Sequence, residues 1–97
     1  MEGETMKYDC ESSVERFTSR TGSVFWTAFA TVSNTVQRRV ESCVQPHERI
    51  ATVTGRGRVD IGEPWPDPTT PVGLSRLLDI AEGLAVTEWK RRFGGAK

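Results

Sequence analysis

The residues of this sequence that could do chemistry are mostly arginines, and several of them surround one glycine-rich stretch. The segment "TVTGRGRVDIG", residues 52–62, places Arg56 and Arg58 between two apolar runs. Guanidinium groups pair with phosphates and carboxylates, so the stretch is either a tight turn or a grip on phosphate. The stretch matches neither the Walker A loop nor the G-x-G-x-x-G dinucleotide motif, because a strand-like run follows the glycines and no third glycine stands where the second motif needs it. We therefore predict a hairpin in which Gly55 and Gly57 supply positive φ angles.

The charges of the chain balance overall but are segregated along it. Thirteen Lys and Arg residues match thirteen Asp and Glu residues, so no net charge draws the chain onto a nucleic acid or an anionic membrane. Basic residues concentrate in residues 38–58 and 90–97, and a fold that joined these blocks would have one positive face. The alternative is ordinary solvated charge. The candidate binding residues are the arginines of these blocks and one tryptophan: Arg38, Arg39, Arg49, Arg56, Arg58, Trp65, Arg91 and Arg92.

A single histidine limits the catalytic and metal-binding chemistry that the sequence offers. His47 has Cys43 four residues before it and Glu48 beside it. A thiol nucleophile needs its base within hydrogen-bond reach and a pocket for the substrate, and this loose set predicts neither. A closed metal site needs four ligands, and a fourth is not evident. We expect no enzyme activity, no metal and no cofactor.

Length and composition predict one globular domain over residues 1–97. No apolar run reaches the length of a membrane span, and the first residues lack the pattern of a signal peptide, so we expect a cytoplasmic protein without membrane contact. Cys10 and Cys43 are then expected to be reduced and mostly buried, with a disulfide between them as the less favoured alternative.

The first half of the chain predicts mainly strands. Residues 1–10 read as a frayed acidic lead-in, and Ser12 with Glu15 has the spacing of a capping box, which favours a short N-terminal helix. Alternating apolar residues predict a strand up to Val32. Residues 35–45 fit either a second strand, which the spacing of the valines favours, or a helix that begins at Asn34.

The second half predicts a hairpin, a connector and a long helix. The proline-rich residues 63–71 cannot join a central sheet and form the connector. Thr70 can cap the helix and Pro71 can open it. The apolar stripe of this helix consists of Leu74, Leu77, Leu78, Ala81, Leu84, Ala85 and Trp89. Trp26 and Trp89 are expected to be buried. The predicted fold is α+β: a small antiparallel sheet of three to four strands, a long C-terminal helix on one face and an optional short N-terminal helix.

Two functions of different classes remain open at this point. The first is a small non-enzymatic protein-binding or regulatory module that presents an edge strand, a sheet face or the Trp65 segment to a partner protein. The second is a nucleic-acid-binding domain that uses a local arginine patch around the TGRGR hairpin. The balanced charge favours the first function. A homodimer is compatible with either.

Overall fold

A computed structural model of the chain describes residues 8–34 and 39–93. Within these residues one antiparallel sheet packs against one long helix. The elements are β1 (Asp9–Thr18), β2 (Val24–Ser33), β3 (Arg39–Gln45), β4 (Ile50–Val53), β5 (Gly57–Arg58) and α1 (Pro71–Phe93). The predicted α+β class is confirmed, with five strands instead of three or four.

The sheet is a meander in which each strand pairs with its neighbour in sequence, in the order β1-β2-β3-β4-β5. β1 and β2 pair along their whole length, from Asp9 opposite Ser33 to Thr18 opposite Val24. β3 pairs with β2 only from Ala28 onward. The β1–β2 hairpin therefore extends beyond β3 at one end of the sheet.

The prediction of a short N-terminal helix is wrong, because its residues belong to β1. Ser12 and Glu15 have capping-box spacing, but both pair with β2, opposite Ala30 and Thr27. A local helix signal of this size is worth about 1 kcal/mol and gives way to a ladder of ten residue pairs. Residues 1–7 of the expected lead-in lie outside the described residues, and Asp9 already opens β1.

The sequence leaves open whether residues 35–45 form a strand or a helix and whether TGRGR is a turn, and the structure decides both. Arg39–Gln45 forms β3, as the valine spacing favours, while residues 35–38, which include the candidate Arg38, lie outside the described residues. The TGRGR stretch is a hairpin between β4 and β5, with φ angles of 84° at Gly55 and 75° at Gly57. This part of the prediction is confirmed.

Helix α1 begins as its sequence predicts. The Thr70 side-chain oxygen accepts a hydrogen bond from the Gly73 amide at 2.9 Å, and Pro71 is the first helical residue. The last turn carries Lys90, Arg91 and Arg92, where cations face the negative end of the helix dipole. No helix among the described residues is long and apolar enough to span a membrane.

The core lies between α1 and one face of the sheet. Alanines at 28, 30, 81 and 85 are fully or almost fully buried, which allows the helix to approach the strands closely. The Ser42 hydroxyl donates to the Ala81 carbonyl at 2.5 Å, so the one buried serine of this face is satisfied. The remaining buried apolar side chains are Val32, Val40, Val44, Ala51, Val53, Leu77 and Trp89.

The two tryptophans expected in the core have different environments. Trp89 is fully buried, as predicted. Trp26 is only half-buried, so that prediction is wrong. Trp26 belongs to the part of β2 that extends beyond β3, before the ladder to β3 begins at Ala28. The side chain therefore has β1 on one side and a groove on the other.

The two cysteines are unpaired, but they are less buried than the sequence suggested. Cys10 is exposed on β1, and Cys43 is half-buried on β3. Partial burial raises the pKa of both thiols, and the nearby Glu82 carboxylate raises that of Cys10 further. Both side chains are therefore protonated, weakly nucleophilic thiols at neutral pH.

Candidate functional site

Two surfaces of contrasting chemistry lie at the two ends of α1. At its N-terminal end is a groove of about 640 Å³, which we call the aromatic groove. At its C-terminal end three arginines surround one glutamate, and we call these four residues the arginine cluster. The aromatic groove is lined chiefly by Arg16, Phe25, Trp26, His47, Arg49 and Trp65. The arginine cluster consists of Arg56, Glu88, Arg91 and Arg92.

The strands supply one wall of the aromatic groove. Arg16 and Trp26 are a cross-strand pair, and the guanidinium carbon of Arg16 lies 6.0 Å from the centroid of the Trp26 ring. Phe25 stacks at a tilt on His47, with ring centroids 4.7 Å apart. His47 thus lies on an aromatic ring in the turn after β3. It does not form a catalytic pair with Cys43, which lies opposite Phe29 inside the sheet.

The proline-rich connector supplies the opposite wall and carries Trp65. Its path is fixed by Asp67, whose side chain accepts hydrogen bonds from the amide and hydroxyl of Thr69 at 2.9 and 2.6 Å. These bonds hold the pKa of Asp67 below its usual value. A Cβ on Gly73 would stand 1.6 Å from the Asp67 carbonyl oxygen, so the connector rests directly on the first turn of α1. Trp65, one of the candidate binding residues, is thus half-buried on a held segment.

Arg49 is positioned in the groove by an uncommon backbone conformation. Its φ is 54°, a left-handed value that residues other than glycine adopt infrequently. The Arg49 amide donates to the Pro46 carbonyl at 3.2 Å, which closes the turn between β3 and β4. The Arg49 guanidinium lies 4.0 Å from the Glu63 carboxylate, and both side chains are largely exposed, so this pair is loose.

Exposed apolar side chains accumulate beside the aromatic groove. Three large hydrophobic residues are prominently exposed among those described: Phe17 at 44%, Val24 at 41% and Val72 at 72%. Phe17 and Val24 flank the tip of the β1–β2 hairpin, and Val72 lies in the first turn of α1. All three therefore belong to the same end of the domain as Trp26 and Trp65.

The arginine cluster forms around a buried carboxylate. The Glu88 side chain is 2% exposed, and Arg91 binds it with two donors at 3.1 and 2.6 Å. Arg92 donates to the same carboxylate at 2.8 Å, and an Arg56 nitrogen lies 3.6 Å away. The hydrogen bonds from Arg91, followed by those from Arg92 and the charge of both, lower the pKa of Glu88 to about 2 against the cost of desolvation. Glu88 is therefore ionised throughout the physiological range.

The cluster also joins the TGRGR hairpin to the helix. Arg92 donates from its terminal nitrogen to the Thr54 carbonyl at 2.7 Å. A Cβ on Gly55 would collide with the Arg92 guanidinium, so the absence of a side chain at Gly55 lets Arg92 cross the turn. The two basic blocks meet at Arg56, Arg91 and Arg92, and Arg91 and Arg92 each donate two hydrogen bonds to acceptors of the same chain.

Of the other candidate arginines, Arg39 and Arg58 belong to neither surface, and Arg38 lies outside the described residues. Arg39 forms an exposed ion pair with Glu41 at 2.8 Å on the sheet face opposite α1. Arg58 is exposed in β5, next to the cluster in sequence. The structure thus brings together Arg56, Arg91 and Arg92 at one end, and Arg49 with Trp65 at the other.

Sequence reasoning missed Trp26, Arg16 and Glu88 as parts of these surfaces. The apolar alternation of β2 predicts Trp26 in the core. Glu88 offered a usable signal, since it follows Ala81 and Ala85 on the buried side of α1 and precedes two arginines at helical spacing. A carboxylate on an apolar stripe predicts a buried ion pair.

Comparisons with family models, with curated proteins and with solved structures give no significant match. Among residues 8–34 and 39–93, no three His, Cys, Asp or Glu side chains are grouped as metal ligands would be. Function is therefore inferred from the two surfaces themselves.

Proposed function

We propose that this chain is a small non-enzymatic protein-binding or regulatory module of the cytoplasm, and that it holds its partner in the aromatic groove. The observation that carries the proposal is the pair of half-buried tryptophans, Trp26 and Trp65, which face one groove from opposite walls. Burying the rest of these rings against a partner would stabilise the complex by about 25 cal/mol for each Å² of apolar surface removed from water.

The composition of the groove matches that of energetic hot spots in protein interfaces. Tryptophan and arginine are enriched at such positions, and a hot spot is typically surrounded by apolar contacts that exclude water. Here Arg16 and Arg49 accompany the two tryptophans, and the exposed Val24 borders the groove. The connector is held by Asp67 and Gly73, so Trp65 is positioned before a partner arrives and little ordering entropy is lost on binding.

The same features define the chemistry of the partner. A groove walled by aromatic rings accepts an extended, proline-containing or apolar segment, as other aromatic-lined peptide sites do. The guanidinium groups at its rim favour an acidic residue beside that anchor. Arg49 is suited to this contact because its pairing with Glu63 is loose. We therefore propose an extended acidic segment with an apolar or proline anchor.

A displayed library of random peptides tests this proposal. Selection on the wild type should enrich peptides that combine proline or aromatic residues with Asp or Glu. Binding of a selected peptide, measured by fluorescence anisotropy, should weaken at least tenfold in Trp65→Ala and be unchanged in Arg58→Ala, an exposed arginine away from the groove.

Charge reversal provides a variant that leaves the core intact. Selection on Arg49→Glu should shift the enriched peptides from acidic to basic flanks. The proposal is wrong if no motif is enriched, or if Trp65→Ala and Arg49→Glu select and bind as the wild type does.

Nucleic-acid binding through the arginine patch is the second candidate. Three guanidinium groups against one carboxylate leave the cluster with two positive charges, and the Arg56 and Arg91 side chains are about half exposed. Against it, Arg91 and Arg92 already donate to Glu88 and Thr54. The adjoining groove of about 460 Å³ is walled by apolar residues such as Val59, Ile61 and Leu84. We expect no salt-dependent binding to a mixed DNA and RNA pool at physiological ionic strength. Micromolar binding that is lost in Arg56→Ala/Arg58→Ala would favour this function instead.

A further inference from the structure

The outer edge of β1 is the longest open strand edge of the sheet. β1 is a terminal strand of ten residues that pairs with β2 on one side, and no strand among the described residues pairs with its other side. The opposite edge of the sheet is β5, which has two residues. Edges of folded proteins are commonly short or covered, because their free N–H and C=O groups invite another strand. A ten-residue open edge therefore indicates a place for strand pairing.

We propose that the occupant of this edge is β1 of a second copy of the chain, antiparallel and related by a two-fold axis at Val14. Such an isologous contact joins two five-stranded sheets into one of ten strands, with both helices on the same face. The proposal goes beyond the aromatic groove, with which the contact shares Arg16.

The acidic residues of β1 select the axis. With the axis at Val14, Glu11 lies opposite the second copy's Phe17, and Glu15 lies opposite the second copy's Ser13. An axis at Ser13 would set Glu11 against the second copy's Glu15, and an axis at Glu15 would set Glu15 against itself. Directly opposed like charges destabilise a strand pair, so the sequence disfavours these neighbouring registers.

A charge pair supports the same register on the helix side. The Ser12 hydroxyl donates to the Glu82 carboxylate, which therefore stands over β1 at the level of Ser12. An axis at Val14 places the second copy's Arg16 opposite Ser12 and thus beside Glu82. Arg16 is exposed and reaches this position when its side chain turns away from Trp26. Symmetry provides the Arg16–Glu82 contact twice.

Apolar side chains lie at the proposed axis. α1 runs antiparallel to β1, since Trp89 contacts Tyr8 while Glu82 contacts Ser12. Leu78 is one turn before Glu82 on the same side of the helix, which places it near the level of Val14. Val14 and Leu78 are both half-buried in the single chain. Pairing would bring the two copies of each side chain together and complete their burial.

Engineered disulfides test the register, in chains that carry Cys10→Ser and Cys43→Ser. Opposed residues of antiparallel strands have Cα atoms about 4.5 to 5.5 Å apart, within the range of a disulfide. Val14→Cys should therefore form a covalent dimer under mild oxidation, seen on a non-reducing gel. Ser12→Cys is the matched control, because the two copies of residue 12 would lie about 13 Å apart along the strands. A mixture of Ser12→Cys and Arg16→Cys chains should give the mixed dimer.

Light scattering after gel filtration tests the assembly without new cysteines. The wild type should have twice the mass of one chain, Arg16→Glu and Glu82→Arg should each shift the equilibrium to the monomer, and the double variant should restore the dimer. Trp65→Ala should stay dimeric, which separates this contact from the aromatic groove. A wild type that is monomeric at every concentration overturns the proposal. Cross-linking that is equal at positions 12 and 14 also overturns it, as does a monomer–dimer equilibrium that neither charge reversal changes.

Discussion

The two ends of α1 differ in whether their conspicuous side chains are satisfied within the chain. In the arginine cluster, Arg91 and Arg92 both donate to Glu88, and Arg92 also donates to the Thr54 carbonyl. The fully buried Trp89 lies next to Glu88 in the helix. At the aromatic groove the rings of Trp26 and Trp65 are only half covered. The charges at one end are paired within the chain, whereas apolar surface at the other end is only partly covered.

This difference shows that conspicuous residue types do not by themselves mark a binding site. The arginines of the TGRGR hairpin are the most noticeable feature of the sequence, yet Arg56 lies against a buried carboxylate of the same chain. A tryptophan in an alternating strand is the expected core residue, yet Trp26 borders a groove. Burial and partners, more than residue type, separate structural from recognition roles.

Replacing one tryptophan at each end should give the largest contrast in stability. Trp89→Ala removes a fully buried side chain and should cost about 3 to 5 kcal/mol, whereas Trp26→Ala should cost roughly half of this or less. Urea unfolding of both variants measures the difference. Equal costs would show that Trp26 is as well packed as Trp89 and would end the distinction between the two ends.

A methyl group on Gly73 should damage the aromatic end. The added Cβ would meet the Asp67 backbone, which has to move, so Gly73→Ala should destabilise the fold by about 1 to 3 kcal/mol and displace Trp65. Tryptophan emission and the unfolding midpoint measure both effects. Gly83→Ala is the control, because its Cβ meets no atom within 4 Å and alanine favours the helix by up to about 1 kcal/mol. Destabilisation by Gly83→Ala equal to that by Gly73→Ala would argue against a specific contact with the connector.

The arginine end should depend on pH through Glu88. Its pKa is about 2 in the folded chain, below the ordinary value of 4.5, so its contribution to stability is present above about pH 5 and is lost as the pH falls towards 2. The unfolding midpoint of the wild type should therefore exceed that of Glu88→Gln at pH 6, and the gap should narrow progressively on acidification. A gap that is constant from pH 6 to pH 2.5 would contradict the buried ion pairs.

The smallest expected effect is the difference in stability between variants of the two hairpin arginines. Arg58→Ala should leave the free energy of unfolding within about 0.5 kcal/mol, because Arg58 is exposed in β5. Arg56→Ala should lower the unfolding midpoint more, since its guanidinium lies 3.6 Å from the buried Glu88 carboxylate. Differential scanning fluorimetry of the two variants makes the comparison. If Arg58→Ala is the more harmful change, Arg56 has no part in the cluster.

The parts of the fold that depend on local chemistry could be predicted from the sequence. The cap at Thr70, the first-turn Pro71 and the glycine turn at Gly55 and Gly57 each need only neighbouring residues. β1 could not be predicted, because its local capping pattern opposes a pairing with residues 24–33 that only the assembled sheet provides.

The candidate site was less predictable than the fold for a related reason. The clustering of basic residues in the sequence points to the arginines, but their partner Glu88 is recognised only when the hairpin and the helix end lie together. The aromatic groove depends on β2 extending past β3, a matter of strand lengths and register that alternation alone does not reveal.

The meander order of the sheet bears on how the chain acquires its structure during synthesis. All five strands precede α1, and each pairs with its sequence neighbour, so hairpins that need only short loop closures can form while the helix is still unmade. The sheet face that carries Val32, Val40 and Val44 then stays exposed until residues 71–93 have been synthesised. During that interval the nascent chain exposes an apolar sheet surface, which is the kind of surface that chaperones bind and that drives aggregation when translation stalls.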